Sequence, residues 1–253
     1  MSSLAASRKP RHGRELLCEG VFRPVAHVLV LALAPLRVPP PLVAAASGAA
    51  GLAGAVELAR GHLLAAAVLV QLKTVLDNAD GQLARLTGRT SAFGRYLDSE
   101  LDLLVDAAVF AALGWRSGRP GLALAGFVAL TLVLSVNFNA ERLSRGAGAE
   151  PDGGGRPTAL LRLVYRLVYA PQDRAAEWLA ARRPALAGPA SVAVLANLGL
   201  STQLAVLGAC LAAGRPLLVA WLALAELGLV AVLALRRAEA APALSRPREQ
   251  EVA

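Results

Sequence analysis

Five of the seven aspartates in the chain, Asp77, Asp80, Asp98, Asp102 and Asp106, fall between positions 77 and 106. Their spacing decides what they can do. Asp77 and Asp80 are three residues apart and Asp98 and Asp102 four apart, so each pair shares one face of a helix. The intervening turn is short, which makes the two helices antiparallel neighbours and sets two pairs of carboxylates facing each other across a narrow gap. Four unscreened anions there repel strongly. An oxygen-rich, histidine-free cluster suits a hard divalent cation, Mg²⁺ or Mn²⁺, and four carboxylates suffice to bridge two ions. Gly81 and Ala84 lie on the same face as the first pair and leave room for a ligand to approach the backbone. Arg85, one turn after Gly81, is placed to meet an anion such as a diphosphate.

The elements that must position these acids are helices in a membrane. The 253 residues are 56% hydrophobic and 17% charged, against about 25% charged in soluble domains. This composition excludes a disordered chain and an ordinary soluble domain and predicts an all-α, polytopic bundle. Six apolar runs of spanning length are read near Pro41–Ala59, His62–Leu83, Tyr96–Trp115, Pro120–Ala140, Ala190–Ala213 and Pro216–Leu235. The acids therefore sit where the second span ends and the third begins, at a depth where ionised groups are costly and mark function.

Charge distribution sets the orientation. The net charge of +8 could suit nucleic acid, but the basic residues flank apolar runs, so a nucleic-acid partner is set aside. Lysines and arginines number 21 on the side of both termini and the motif loop, against 4 on the other side. That bias predicts cytoplasmic termini, a cytoplasmic site and a multi-pass protein of the plasma (inner) membrane. Residues 1–37 form an N-terminal segment in which Pro24–Leu36 is too short to span. It reads as a signal-peptide core cut after Ala32-Leu33-Ala34, or as an interfacial helix; Pro35 and the complete membrane domain that follows favour the helix. Residues 38–237 make the membrane domain, interrupted by a flexible Gly-rich loop at 146–157, and 238–253 a disordered tail. Thr158–Tyr169 carries Leu160, Leu161, Val164, Leu167 and Val168 at helical spacing, as an interfacial helix or a plain cytoplasmic one would.

Residues 77–102 read Asp77-Asn78-Ala79-Asp80-Gly81-Gln82-Leu83-Ala84-Arg85, then eight residues, Gly94, three residues, Asp98, three residues, Asp102. This resembles the complete signature of the CDP-alcohol phosphotransferases, D-x-x-D-G-x-x-A-R-x8-G-x3-D-x3-D, at all eight specified positions. The signature covers about a tenth of the chain, and the six-span pattern extends the likeness to most of it. The resemblance implies transfer of a phosphatidyl or other substituted phosphate group from a CDP-linked donor, usually CDP-diacylglycerol in bacteria, to a small polar alcohol, with release of CMP. It implies that Asp77, Asp80 and Asp98 hold the metals. Asp102 would touch the second metal and act as general base. Gly81, Arg85 and Ser91, with the motif's Ala84 and Gly94, would serve the CDP donor. The membrane lipid is itself a partner, and a homodimer is left open.

The sequence also departs from the family. The Pro-Asn-x-x-Thr stretch common at the first span is here Pro40-Pro41-Leu42-Val43-Ala44, without the Asn and Thr. Ser47 could substitute for those cytidine contacts or merely pack. Asn137, Asn139 and Arg142 could bind the acceptor, yet the basic pattern of inositol-phosphate users is not evident. Lys73, one turn before Asp77, reads equally as acceptor contact, counter-ion or structural ion pair. Asp106 could hold a water behind the site, but a structural hydrogen bond is favoured; Glu100 reads as a packing or interface group, Glu226 as a paired acid, and Asn197 and Gln203 as interhelical hydrogen-bonders. His12, His27 and His62 are scattered and receive no metal role. Cys18 and Cys210 are too far apart in character to pair. Two other function classes compete: a cation transporter using the intramembrane acids, which would need acids along a path instead of at one edge, and an inactive lipid-binding homologue, which would not need all four aspartates.

Overall fold

The computed structural model describes residues 13–144 and 156–236, and these are helical with no strand among them. The N-terminal end, the loop expected at 146–157, except for its last two residues, and the tail expected at 238–253 fall outside the described residues. A single π-helical turn, α1 (Cys18–Phe22), runs into α2 (Arg23–Leu33). Four long helices follow: α3 (Pro40–Arg60), α4 (Leu63–Leu86), α5 (Ala92–Ser117) and α6 (Pro120–Ser144). Proline opens α3 and α6, where its missing N–H costs nothing, and Gly61 and Gly118 close α3 and α5 in the left-handed conformation. Next come α7 (Arg156–Arg182), a short 3-10 turn (Pro184–Ala187), α8 (Pro189–Ala196), α9 (Leu200–Ala212) and α10 (Leu218–Leu235).

Helix α3 packs on α4 and α5 together; α5 packs on α6, α6 on α10, and α4 on α9. Close approach along α3 comes from glycine. A β-carbon on Gly48 would stand 2.7 Å from Leu101, and one on Gly51 would stand 2.6 Å from a Val105 methyl and 3.1 Å from Lys73 Cγ. The two helices that carry the acids are thus seated on a backbone groove, and the apolar core of Leu58, Val70, Val105, Val109 and Leu113 lies beneath them.

Three described helices, α3, α6 and α10, are long and apolar enough to cross a membrane, and α8 with α9, bent by 43°, makes a fourth. The protein is therefore a helical membrane protein. The segments expected as the second and third spans are helical, as α4 and α5, but Lys73, Asp77 and Asp80 interrupt one and Asp98, Glu100, Asp102 and Asp106 the other. The site itself breaks their apolar character, so composition does not mark them as spans. The fifth expected span is also not straight. Asn197 ends α8 and Gly199, extended at φ −70° and ψ 162°, begins α9. The short apolar segment near the N-terminus is helical as α2, with Ala26, His27 and Val30 turned inward on α4 and Val25, Val28 and Leu31 exposed.

Candidate active site

The site is built at one end of the α4–α5 pair. α4 stops at Thr87, Gly88 turns with φ +66°, and Ser91 caps α5 by accepting the Gly94 N–H at 3.0 Å. This turn makes the helices antiparallel and brings their acids level. One ligand oxygen each from Asp77, Asp98 and Asp102 lies within 4.8 Å of the other two, the candidate metal grouping among the described residues. The donor set is all carboxylate, which fits a hard cation and not a soft one.

Asp80 stands outside that grouping. It is buried, and its Oδ2 has no hydrogen-bond partner among the described residues. An orphaned, buried carboxylate oxygen next to three converging carboxylates is what a cation-binding set requires and what an apolar core would not tolerate. Lys73 is 1% exposed and reaches into the cluster from below. Its ammonium donates to Asp77 Oδ1 at 2.6 Å and also to Asp102 Oδ1. This is the ion-pair arrangement, with Lys73 on the inner side of the acids. Ser47 donates to the Lys73 carbonyl at 3.0 Å, so it ties α3 to α4 and does not face outward. Asp106 is buried one turn further along α5.

The other motif residues lie along the same edge. A β-carbon on Gly81 would meet the Arg85 guanidinium at 3.2 Å, so Arg85 folds back over the bare backbone of Gly81. Ala84 is half-buried between them, and Ser91 is exposed at the turn with Gly94 one turn on. The acceptor candidates lie elsewhere, at the contact of α6 with α7. Asn139 is fully buried and its amide Nδ2 donates to Ser135 O at 2.9 Å and to Asp173 Oδ1 at 3.0 Å; Arg142 is ion-paired with Glu177.

Several residues escaped the sequence reading. The spacer residues of the motif hold the N-terminal segment. Asn78 accepts from Cys18 Sγ at 3.1 Å and donates to Ser201 Oγ at 3.1 Å, while Gln82 meets His27 Nδ1 at 3.2 Å and donates to the Arg23 carbonyl at 3.1 Å. Buried Glu15 accepts the Thr202 N–H at 3.2 Å at the start of α9, across the bare Gly199, where an acid favours the helix N-terminus. Asn197 donates to the carbonyl of Arg14, which lies outside any helix, whereas Gln203 donates from α9 to Glu226 of α10 at 2.5 Å, the interhelical role expected of it. Both cysteines are buried and neither is in a disulfide.

α7 supplies a wall. Its Tyr165 ring stacks on Tyr169 at 5.4 Å and meets Tyr96 of α5 edge-on at 5.6 Å; Arg95 and Arg162 lie over the Tyr96 ring. Tyr169 donates to the Ser99 carbonyl at 3.1 Å, between Asp98 and Asp102, and Tyr165 donates to Asp173 at 2.5 Å. Burial, with Asp102, Asp106, Glu100 and Asp173 around it, pushes the Tyr169 phenol well above its ordinary range. Burial and the Asp173 hydrogen bond do the same to Tyr165. Both hydroxyls are consequently fixed donors at any working pH.

Comparison with known proteins bears on this arrangement. A family model described as CDP-alcohol phosphatidyltransferase matches residues 36–194. The phosphatidylinositol phosphate synthase of Mycolicibacterium smegmatis is 34% identical over 155 residues, covering 58% of this chain and 66% of that protein. The synthase of the same name from Mycobacteroides abscessus is 29% identical over 161 residues, covering 61% and 73%. A bifunctional IPC transferase and DIPP synthase of Rubrobacter xylanophilus is 35% identical over 99 residues, and there the chain covers 23% of the relative's length. The match begins before α3, runs through the converging acids into α8 and takes in well over half of the residues, so the chain belongs to the CDP-alcohol phosphatidyltransferase family.

Proposed function

We propose that this enzyme makes a phospholipid, transferring a phosphatidyl group from CDP-diacylglycerol to a small polar alcohol with release of CMP. The carrying observation is the convergence of Asp77, Asp98 and Asp102 within 4.8 Å at one edge of the bundle, beside a buried, orphaned Asp80 oxygen. In this reading Asp77, Asp80, Asp98 and Asp102 hold Mg²⁺ or Mn²⁺, two ions in all. Bound there, the cations neutralise the diphosphate and ease departure of CMP. The phosphatidyl-named relatives support the choice of cargo.

The chain's own residues do the rest. Arg85 meets the donor's phosphates over the bare Gly81, and Ala84, Ser91 and Gly94 leave that edge open to the CDP portion. Asp102 orients the acceptor hydroxyl and takes its proton. The acceptor oxygen then bonds to the phosphorus distal to cytidine, while the bond from that phosphorus to the bridging oxygen breaks and CMP leaves with the electron pair. Asp102 is a weak base, so it works by positioning. Lys73 acts as counter-ion within the acid cluster and not as an acceptor contact, because its ammonium is committed to Asp77 and Asp102. The bundle crosses the plasma membrane six times, counting α4 and α5, with both termini and the site cytoplasmic and α2 at the interface.

The test is release of CMP from CDP-diacylglycerol by purified protein offered a panel of alcohols. Activity should vanish with a chelator, return with Mg²⁺ or Mn²⁺, and be abolished in Asp77→Asn and Asp98→Asn. Full activity in either variant, or no metal dependence, would overturn the assignment.

A further inference from the structure

Among its described side chains, α7 exposes only apolar residues and arginines. Leu160, Leu163, Val164 and Leu167 are exposed at helical spacing, and exposed Trp178 continues the stripe about five turns after Leu160. Tyr169 stands nine residues after Leu160 and nine before Trp178, half a turn round the helix from both. On that inner side α7 meets Ser99, between Asp98 and Asp102. The two acids of the helix are engaged with α6: Asp173 accepts from Asn139, and Glu177 pairs with Arg142. Arg166, Arg174 and Arg182 are exposed, and the Arg182 guanidinium lies 4.3 Å over the Trp178 ring.

Water is a poor solvent for such a face. A helix side turned to water carries acids, amides or hydroxyls, and a stripe of exposed large apolar groups marks a contact. α7 is not among the described helices long and apolar enough to cross a membrane. Three occupants could cover its outer face. The loop at 145–155 holds no Leu, Val, Phe or Trp with which to do so. A second copy in a two-fold contact would set two arginine-bearing faces against each other, and like charges repel. The leaflet around the acid-bearing end of the bundle fits both properties of the face. Its acyl region takes the leucines and Val164, and its interface takes Trp178. Negative headgroups take the arginines, whose long stems reach the polar layer.

We propose that the outer face of α7, from Leu160 to Arg182, lies in the leaflet beside the acids, and that Arg166, Arg174 and Arg182 bind the headgroups of anionic lipids. The helix is then held by lipid on one side and bonded to α5 on the other. The anionic leaflet thereby becomes part of the wall that Tyr165 and Tyr169 form beside Asp98 and Asp102. None of this depends on the transferase reading, because the readout is a lipid contact and not turnover.

The experiment places the full chain in phosphatidylcholine nanodiscs with Trp115→Phe and Trp221→Phe, which leaves Trp178 as the one tryptophan. Brominated phosphatidylglycerol or brominated phosphatidylcholine is added at the same mole fraction, and quenching of Trp178 is measured. Expected is quenching by both lipids, with an apparent association about fivefold stronger for the anionic one, the effect of one arginine near the surface. Combining Arg166→Gln, Arg174→Gln and Arg182→Gln should bring the two lipids to parity. Equal quenching by the two lipids in the parent, or an anionic preference that survives the arginine changes, overturns the proposal. Quenching by aqueous iodide and by neither lipid overturns it as well, and so does quenching by none of the three, the result for a face covered by protein. If the tryptophan changes prevent folding, a nitroxide on Leu167→Cys is read in the otherwise native chain, whose own two cysteines are buried. It should collide with dissolved oxygen more than with a water-soluble nickel complex, and the reverse order overturns the proposal.

Discussion

Asp102 and Asp80 share a charge and a motif but not a setting, and their substitutions should separate. Asp102 is bonded to Lys73 and grouped with Asp77 and Asp98, next to the contact that Tyr169 makes with Ser99. Asp102→Asn keeps the shape and removes the proposed proton acceptor, so under that assignment turnover should fall by about 10² or more, the lower range for loss of a general base. Donor affinity should change little. Asp80→Asn removes the orphaned buried oxygen and should weaken metal and donor binding together. Donor affinity and turnover at saturating Mg²⁺ check both; equal loss of donor affinity in the two variants would make Asp102 a metal ligand instead of a base. The convergence of Asp77, Asp98 and Asp102 was legible from spacing, because helix periodicity converts such intervals directly into a shared face, whereas Asp80, expected with them, stands outside the grouping. The roles of Asn78 and Gln82 were not, since a polar residue beside a motif says nothing about a partner 60 or 123 positions away.

Elements were legible to within a few residues where proline, glycine and apolar length agree, as in α3, α6 and α10. α7 runs thirteen residues past the expected Tyr169 and contains Pro171 inside it, a residue that ordinarily argues for a helix end. Its inner face, with Tyr165, Tyr169, Asp173 and Glu177, is held by tertiary bonds that override the local signal. The bend between α8 and α9 was hidden for a related reason: the acid that sits on it comes from position 15. The contact of α3 with the acid-bearing helices gives the prediction at this scale. Gly51→Ala places a methyl 2.6 Å from Val105 and 3.1 Å from Lys73 Cγ. Overpacking of this kind costs about 1–3 kcal/mol. Thermal unfolding in detergent should show a lowered midpoint, and CMP release should fall although no proposed ligand has changed. Gly228→Ala, which meets nothing within 4 Å, should match the parent in both; equal behaviour of the two variants would mean that the groove does not set the site.

At the scale of the whole molecule, the bundle class followed from composition, but the count of spans did not, because the clustered acids lower the apolarity of the two helices that carry them. The orientation proposed from charge, 21 basic residues against 4 when six spans are counted, gives the prediction at this scale. A reporter fused after Ala253 should be active only when it reads the cytoplasm; activity on the outer face would overturn the six-span topology. The same molecule has an order of assembly written into it. Glu15 meets Thr202 across 187 positions, and Asn78, in the middle of the motif, meets both Cys18 and Ser201. A ribosome adding about 5–20 residues per second takes roughly ten to forty seconds to travel from Glu15 to Thr202. For the part of that interval after α4 has been made, Glu15 still lacks the partner that Thr202 supplies. Glu15 is thus among the last of the described residues to settle. Synthesis of the bent α8–α9 segment, and not of the motif, therefore completes the contacts that Ser201 and Thr202 make with Asn78 and Glu15.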